Sequence, residues 1–106
     1  MTGATASMRG GSGFSAFSSA KFALRALAQS MARELGPQGI HVAHFIIDGA
    51  IDTAFIKENF PDTYALKEKD GILQPDAIAD AYWFVHTQQK SAWTHELDLR
   101  PYMEKF

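Results

Sequence analysis

The chain has 106 residues, 46% apolar and 21% charged, which is ordinary globular usage and excludes a disordered polypeptide. Its 10 basic and 12 acidic side chains leave a net charge of −2, so charge gives no case for nucleic-acid binding. The absence of cysteine removes disulfides, thiolate zinc sites and cysteine nucleophiles, and no apolar run reaches the ~20 residues that span a bilayer.

Residues 1–15, MTGATASMRGGSGFS, are rich in Gly, Ser and Thr and lack a hydrophobic period, which predicts a loop. A helix is predicted over 16–35. Ala20, Leu24, Leu27, Ala28, Met31 and Leu35 recur at helical spacing as one apolar stripe, with Arg25, Gln29 and Arg33 on a polar side. Gly36-Pro37 ends it, because Gly accepts a left-handed cap and Pro cannot continue the helix. The run IHVAHFII, 40–47, predicts a strand covered on both faces, as in a parallel sheet. His41 and His44 interrupt it and point to opposite faces, so they are not expected to share a metal.

Asp48-Gly49 closes that strand and opens a ligand-side loop region over 48–73. Within it, 53–59 predicts a short helix and 62–73 a mobile loop, with Asp62, Glu68 and Asp70 on a solvated face. A second helix is predicted over 75–88, opened by Pro75 and apolar at Ile78, Ala81, Tyr82 and Val85. The last strand is 92–99, where Trp93, His95, Leu97 and Leu99 alternate with Thr94, Glu96 and Asp98. His86 and His95 lack carboxylates at metal-ligand spacing.

A helix, a short loop and a buried strand make half of a βαβ unit, so the fold class is α/β. Two parallel strands alone leave two open sheet edges. The topology therefore predicts either a missing N-terminal half or an oligomer that completes the layer.

The chemistry-bearing pattern is Phe17-Ser18-Ser19-Ala20-Lys21, whose ends lie one turn apart on one helix face. From the glycine-rich segment through AFSSAKFALRALAQSMARELGPQGIHVAHFIIDGAIDT the sequence resembles the short-chain dehydrogenase/reductase family. That resemblance implies a Rossmann-like doubly wound parallel sheet, of which this chain is the C-terminal part. It also implies a Tyr-x-x-x-Lys pair, in which lysine lowers the tyrosine pKa and holds the cofactor ribose. Lys21 stands at the lysine position, but Phe17 stands at the tyrosine position and has no proton to give. The serine position, thirteen residues before Phe17, is Ala4; Thr5 or Thr2 could supply a hydroxyl after a loop shift. Hydrophobic packing is the expected role of Phe17 and Phe22, and Lys21 has the alternative reading of an exposed helical lysine.

Asp48-Gly49-Ala50-Ile51-Asp52-Thr53 resembles the family's Pro-Gly-x-x-x-Thr segment, with Asp48 replacing the proline. The resemblance makes Lys21, Gly49, Ile51 and Thr53 the cofactor-binding candidates, although a strand-ending turn explains the Gly-x-x-x-Thr spacing equally well. Thr2-Gly3-Ala4-Thr5 is not a phosphate loop, because no strand precedes it and the glycine spacing is wrong. Tyr64 lies where the family covers its substrate. The ending from Trp93 to Tyr102 departs from the family's glycine-rich close and resembles a branch in which the tyrosine position is also substituted.

The resemblance implies NAD or NADP as cofactor of a complete member. This chain, lacking the phosphate fingerprint, is expected to bind neither. It also implies a homo-oligomer through helix 16–35, whose Ala16, Ala20, Ala23, Ala26, Ala28 and Ala32 permit close approach. The alternative is a non-enzymatic dimerisation or interaction module on the same scaffold. No nucleic acid, membrane or metal is expected, and the small-molecule substrate is open. The N-terminus lacks a basic region followed by an apolar run, so a cytoplasmic location is expected.

Overall fold

The apolar run before Asp48 forms β1 (His44–Ile47), buried at every position. It pairs in parallel with β2 (Glu96–Leu99), His44 opposite Glu96 and Ile47 opposite Leu99. On its other edge a parallel bridge joins Thr2 to Phe45, with Gly3 N–H donating to Phe45 O at 2.6 Å and Phe45 N–H to Met1 O at 2.9 Å. β1 is therefore central. The first three residues, expected as loop, add a short third rung to the ladder. The computed structural model describes residues 1–106.

The period-2 alternation of strands divides the sheet into two faces. Phe45, Ile47, Leu73 and Val85 form the core on one face, with Leu97, Leu99 and the Ile78, Ala81 and Tyr82 side chains of α4 (Pro75–His86) packed on it. The Phe45 and Tyr82 rings stack with centroids 3.7 Å apart. Each such side chain contributes about 1.5–3 kcal/mol on burial, so this face is the main apolar source of stability. His44 and Glu96 turn to the opposite face, which α1 (Ser15–Leu35) crosses.

The inward face of α1 keeps most of the expected stripe but is shifted at its edges. Leu24, Ala28, Met31 and Leu35 of that stripe are buried or half-buried, but Ser18, Lys21, Arg25 and Ala32 join them, whereas Ala20 and Leu27 are exposed. Arg25, expected on the polar side, reaches Glu96 on β2 from this inward face. The end of α1 also differs. Gly36 stays right-handed and continues into a 3-10 turn with Pro37 and Gln38, and Gly39, at φ 81°, takes the left-handed position.

The strand expected over 40–47 is confined to 44–47, and that expected over 92–99 begins at Glu96 after a 3-10 turn at Lys90–Ala92. Imidazoles explain the shortening. His41 Nε2 takes the Thr94 carbonyl at 2.7 Å, and His95 Nδ1 takes the Val42 carbonyl at 3.2 Å, in place of backbone donors. The helix expected over 75–88 ends at His86. The region expected as a mobile loop is ordered as α3 (Pro61–Tyr64) and a 3-10 turn at Ala65–Lys69. It follows α2 (Ala54–Asn59), where Thr53 Oγ1 caps the helix by accepting from Ile56 N–H at 3.3 Å.

Only 15 of the 106 residues are buried, and the radius of gyration is 15.2 Å. A compact domain of this length has a radius near 13 Å, so these layers are open on their outer surfaces.

Candidate active site

The i, i+4 spacing puts Phe17 and Lys21 on one side of α1, beside the turn that leaves β1. They face a cleft of about 430 Å³ outside the carboxyl end of β1, where open α/β sheets bind ligands. Ala4, Phe17, Lys21, Gly49, Ile51 and Thr53 all line it, so the fold brings together the catalytic and cofactor-binding candidates of the sequence. Phe55 and Ile56 of α2 add apolar wall.

Lys21 Nζ donates to the Thr2 carbonyl at 3.0 Å and stands 5.7 Å from the centroid of the Phe17 ring, within cation–π range. Phe17 and Phe22 are 47% and 43% exposed, so the packing role expected for them is not fulfilled within this chain. Ala4 presents only a methyl group. The two threonines weighed as substitutes are engaged elsewhere: Thr5 Oγ1 donates to Asp48 Oδ1 at 2.5 Å, and Thr2 Oγ1 bonds the Tyr82 hydroxyl at 2.5 Å. The cleft thus offers a lysine ammonium with no proton-donating partner one turn away.

Gly49 adopts φ 149°, and a Cβ there would stand 2.9 Å from Pro101 Cδ. Both the left-handed region and the close approach of the C-terminal segment demand glycine. Ile51 pairs with Leu73 in an isolated bridge, with Asp52 N–H bonding Leu73 O at 2.9 Å and Leu73 N–H bonding Ala50 O at 2.8 Å. That bridge closes the base of the excursion carrying α2 and α3. Across it Lys67 Nζ meets Asp52 Oδ2 at 2.7 Å, and this hydrogen bond holds the lysine above its ordinary pKa. Tyr64 lies between Lys57 and Lys67, at 5.9 and 5.6 Å, and is not a wall of the cleft.

Two groups of residues were missed in the sequence. Asp48, read as a strand terminator standing where the family has proline, is buried and joins Thr5, Arg9 at 3.7 Å and Arg100 at 3.6 Å, binding the loop after Gly3 to the ends of both strands. A carboxylate directly after four apolar residues was the available signal, since an acid at a buried strand end needs partners. The second group is Arg25, Glu96 and His44. Arg25 bonds Glu96 through two nitrogens, and His44 Nδ1 bonds the same carboxylate at 3.1 Å. The Arg25 hydrogen bond lowers the Glu96 pKa, burial opposes it, and the His44 hydrogen bond adds to the lowering. Arg25 falls one turn after Lys21, which was its only sequence signal.

His41 stacks on Trp93 with centroids 4.5 Å apart, away from His44, and no group of three or more metal-ligating side chains forms. No helix is long and apolar enough to cross a membrane.

Known proteins bear on this cleft in three ways. The family profile described as short chain dehydrogenase matches residues 1–63. The crystal structure of a short-chain dehydrogenase from Rhodopseudomonas palustris is 53% identical and superposes with a TM-score of 0.68. That similarity covers 95% of this chain and 36% of the other, so the chain spans about a third of that protein's length. Among curated proteins none matches. With more than half of its residues matched by the family profile, the chain belongs to the short-chain dehydrogenase family.

Proposed function

We propose that this chain forms the nicotinamide and substrate side of an NAD(P)-dependent oxidoreductase site, the C-terminal part of the family fold, with its proton donor lost. The observation that carries this reading is the convergence of Lys21, Gly49, Ile51 and Thr53 on one cleft, with Phe17 one turn from Lys21 and Ala4 opposite.

The donor set fits the nicotinamide and ribose end of the cofactor. An ammonium has three N–H donors, and the Thr2 carbonyl takes one from Lys21, leaving others for ribose hydroxyls. The segment from Gly49 to Thr53 lines the cleft and would offer backbone groups and a hydroxyl to hold a carboxamide. When bound, the dinucleotide supplies hydride chemistry. Phe17 contributes an apolar wall, and neither Phe17 nor Ala4 can move a proton at a substrate oxygen. The pyrophosphate and adenine need a glycine-rich loop opening a helix, which these residues do not provide. Calorimetric titration with NADH and NADPH is therefore expected to show no binding to this chain; micromolar affinity for either contradicts the reading.

The same reading includes self-association in the cytoplasm. Ala16, Ala20, Ala23, Ala26 and Leu27 are exposed on α1, a surface of mostly small side chains along which a second copy can pack closely. Sedimentation at micromolar concentration is expected to show a dimer or larger assembly, and a stable, well-folded monomer overturns this part. An interaction module without chemistry is the second reading, favoured by the loss of functional groups at Phe17 and Ala4.

A further inference from the structure

Lys21 and Arg25, one turn apart on α1, anchor opposite edges of the sheet. Lys21 holds the Thr2 carbonyl at 3.0 Å, and Arg25 holds Glu96, Nε to Oε2 at 2.9 Å and Nη2 to Oε1 at 2.8 Å. Between them sits His44, fully buried, its Nδ1–H donating to Glu96 Oε2 at 3.1 Å. Its Nε2 has no hydrogen-bond partner. That end of the ring abuts Gly3 instead: a Cβ built on Gly3 would overlap Nε2 and stand 2.8 Å from Cε1. Gly3 follows Thr2, so the contacts close a circuit from Lys21 through Thr2-Gly3, His44, Glu96 and Arg25 back along α1.

We infer that His44 is a positioning residue for Lys21, acting through the peptide that joins Thr2 to Gly3. The N–H of that peptide donates to Phe45 O at 2.6 Å. Because a trans peptide is planar, its carbonyl points the opposite way, off the edge of β1, where Lys21 Nζ meets it. One hydrogen bond leaves the peptide plane free to tilt about the N–H···O axis. The imidazole edge against Gly3 Cα removes that freedom. The ring itself cannot retreat, since its other nitrogen is bound to a carboxylate clamped by a two-pronged guanidinium. Only glycine at position 3 lets the imidazole reach the backbone.

The catalytic meaning of this circuit rests on the cofactor reading of Lys21, but its test needs neither cofactor nor activity. Brief acetylation of the chain, read lysine by lysine by mass spectrometry, reports how firmly Lys21 is held, with exposed Lys57 and Lys69 as internal references. His44→Ala and Gly3→Ala are each expected to raise Lys21 labelling roughly threefold or more while the references stay constant. A Cβ on Gly3 would also stand 2.6 Å from Ser7 Oγ, so the double variant is compared with the single ones in a Ser7→Ala background, where the new methyl group occupies space vacated by the imidazole and labelling falls below that of either. His44→Gln, which retains length and a donor, keeps Lys21 protected. Multiplying effects in the double variant, or unchanged Lys21 labelling in His44→Ala, overturns the inference. If a single variant does not fold, His44→Gln and the double variant carry the test: loss of Lys21 protection in both, with unchanged references, equally overturns it. The dinucleotide titration succeeds or fails independently of the labelling.

Discussion

Glu96→Ala is expected to destabilise this chain by about 2–4 kcal/mol, since removing one member of an ion-paired network strands the others. Arg25 keeps 28% of its side chain exposed and can recover some hydration, but His44 is wholly buried and cannot. For a chain of this size the loss corresponds to a fall in Tm of roughly 10 °C or more. The acid dependence follows from the same contacts. Arg25, by its hydrogen bond, holds the Glu96 carboxyl below its ordinary value of 4.5 against the opposing effect of burial. A carboxyl lowered in the folded state stabilises fully above its unfolded pKa and loses that contribution as pH falls through the folded value. The advantage of the parent chain over Glu96→Gln is therefore constant above about pH 5.5 and shrinks below about pH 4.5. Denaturant midpoints of both chains measured across that range check this. Equal midpoints at neutral pH, or an advantage that grows in acid, contradict the network.

Phe17→Tyr is expected to create a phenol that titrates below the usual value near 10, by about one unit or more. The ring it replaces has its centroid 5.7 Å from Lys21 Nζ, and an ammonium at that range favours the phenolate. An ultraviolet difference titration against the parent removes the signals of Tyr64, Tyr82 and Tyr102. Where the dinucleotide-binding half is also supplied, restoring the proton donor at 17 and a hydroxyl with Ala4→Ser is expected to raise turnover about 10²–10⁴-fold. An ordinary phenol pKa would show that Lys21 does not reach position 17 in solution. A shifted pKa without any gain in turnover favours the interaction module.

The parts of this protein legible in sequence are those governed by neighbours along the chain. Phe17 and Lys21 share a helix face because four residues make about one turn, and the resemblance built on that spacing pointed to the family. The apolar run before Asp48 reads as a buried strand because its hydrophobicity does not alternate. Gly49 and Thr53 follow it at a distance that brings them into the same cleft as Lys21. Local pattern failed where a local preference met a distant partner. Leu24, Ala28, Met31 and Leu35 of the expected stripe do turn inward, but Arg25, read as part of the polar side, joins them because its partner Glu96 lies 71 residues away. The polar stretch 61–69 lacks a hydrophobic period, but the Lys67–Asp52 pair and the Ile51–Leu73 bridge anchor it as ordered turns.

By itself the sequence determined the α/β class, the central strand and the helix bearing Lys21, because composition, spacing and residue identity decide those directly. Only the tertiary structure decided that Arg25 joins the inward face of α1, why Gly3 is glycine, and what Asp48 and His44 bind. Those outcomes depend on hydrogen bonds and close contacts between residues about forty or more positions apart, where no periodicity along the chain records the partner.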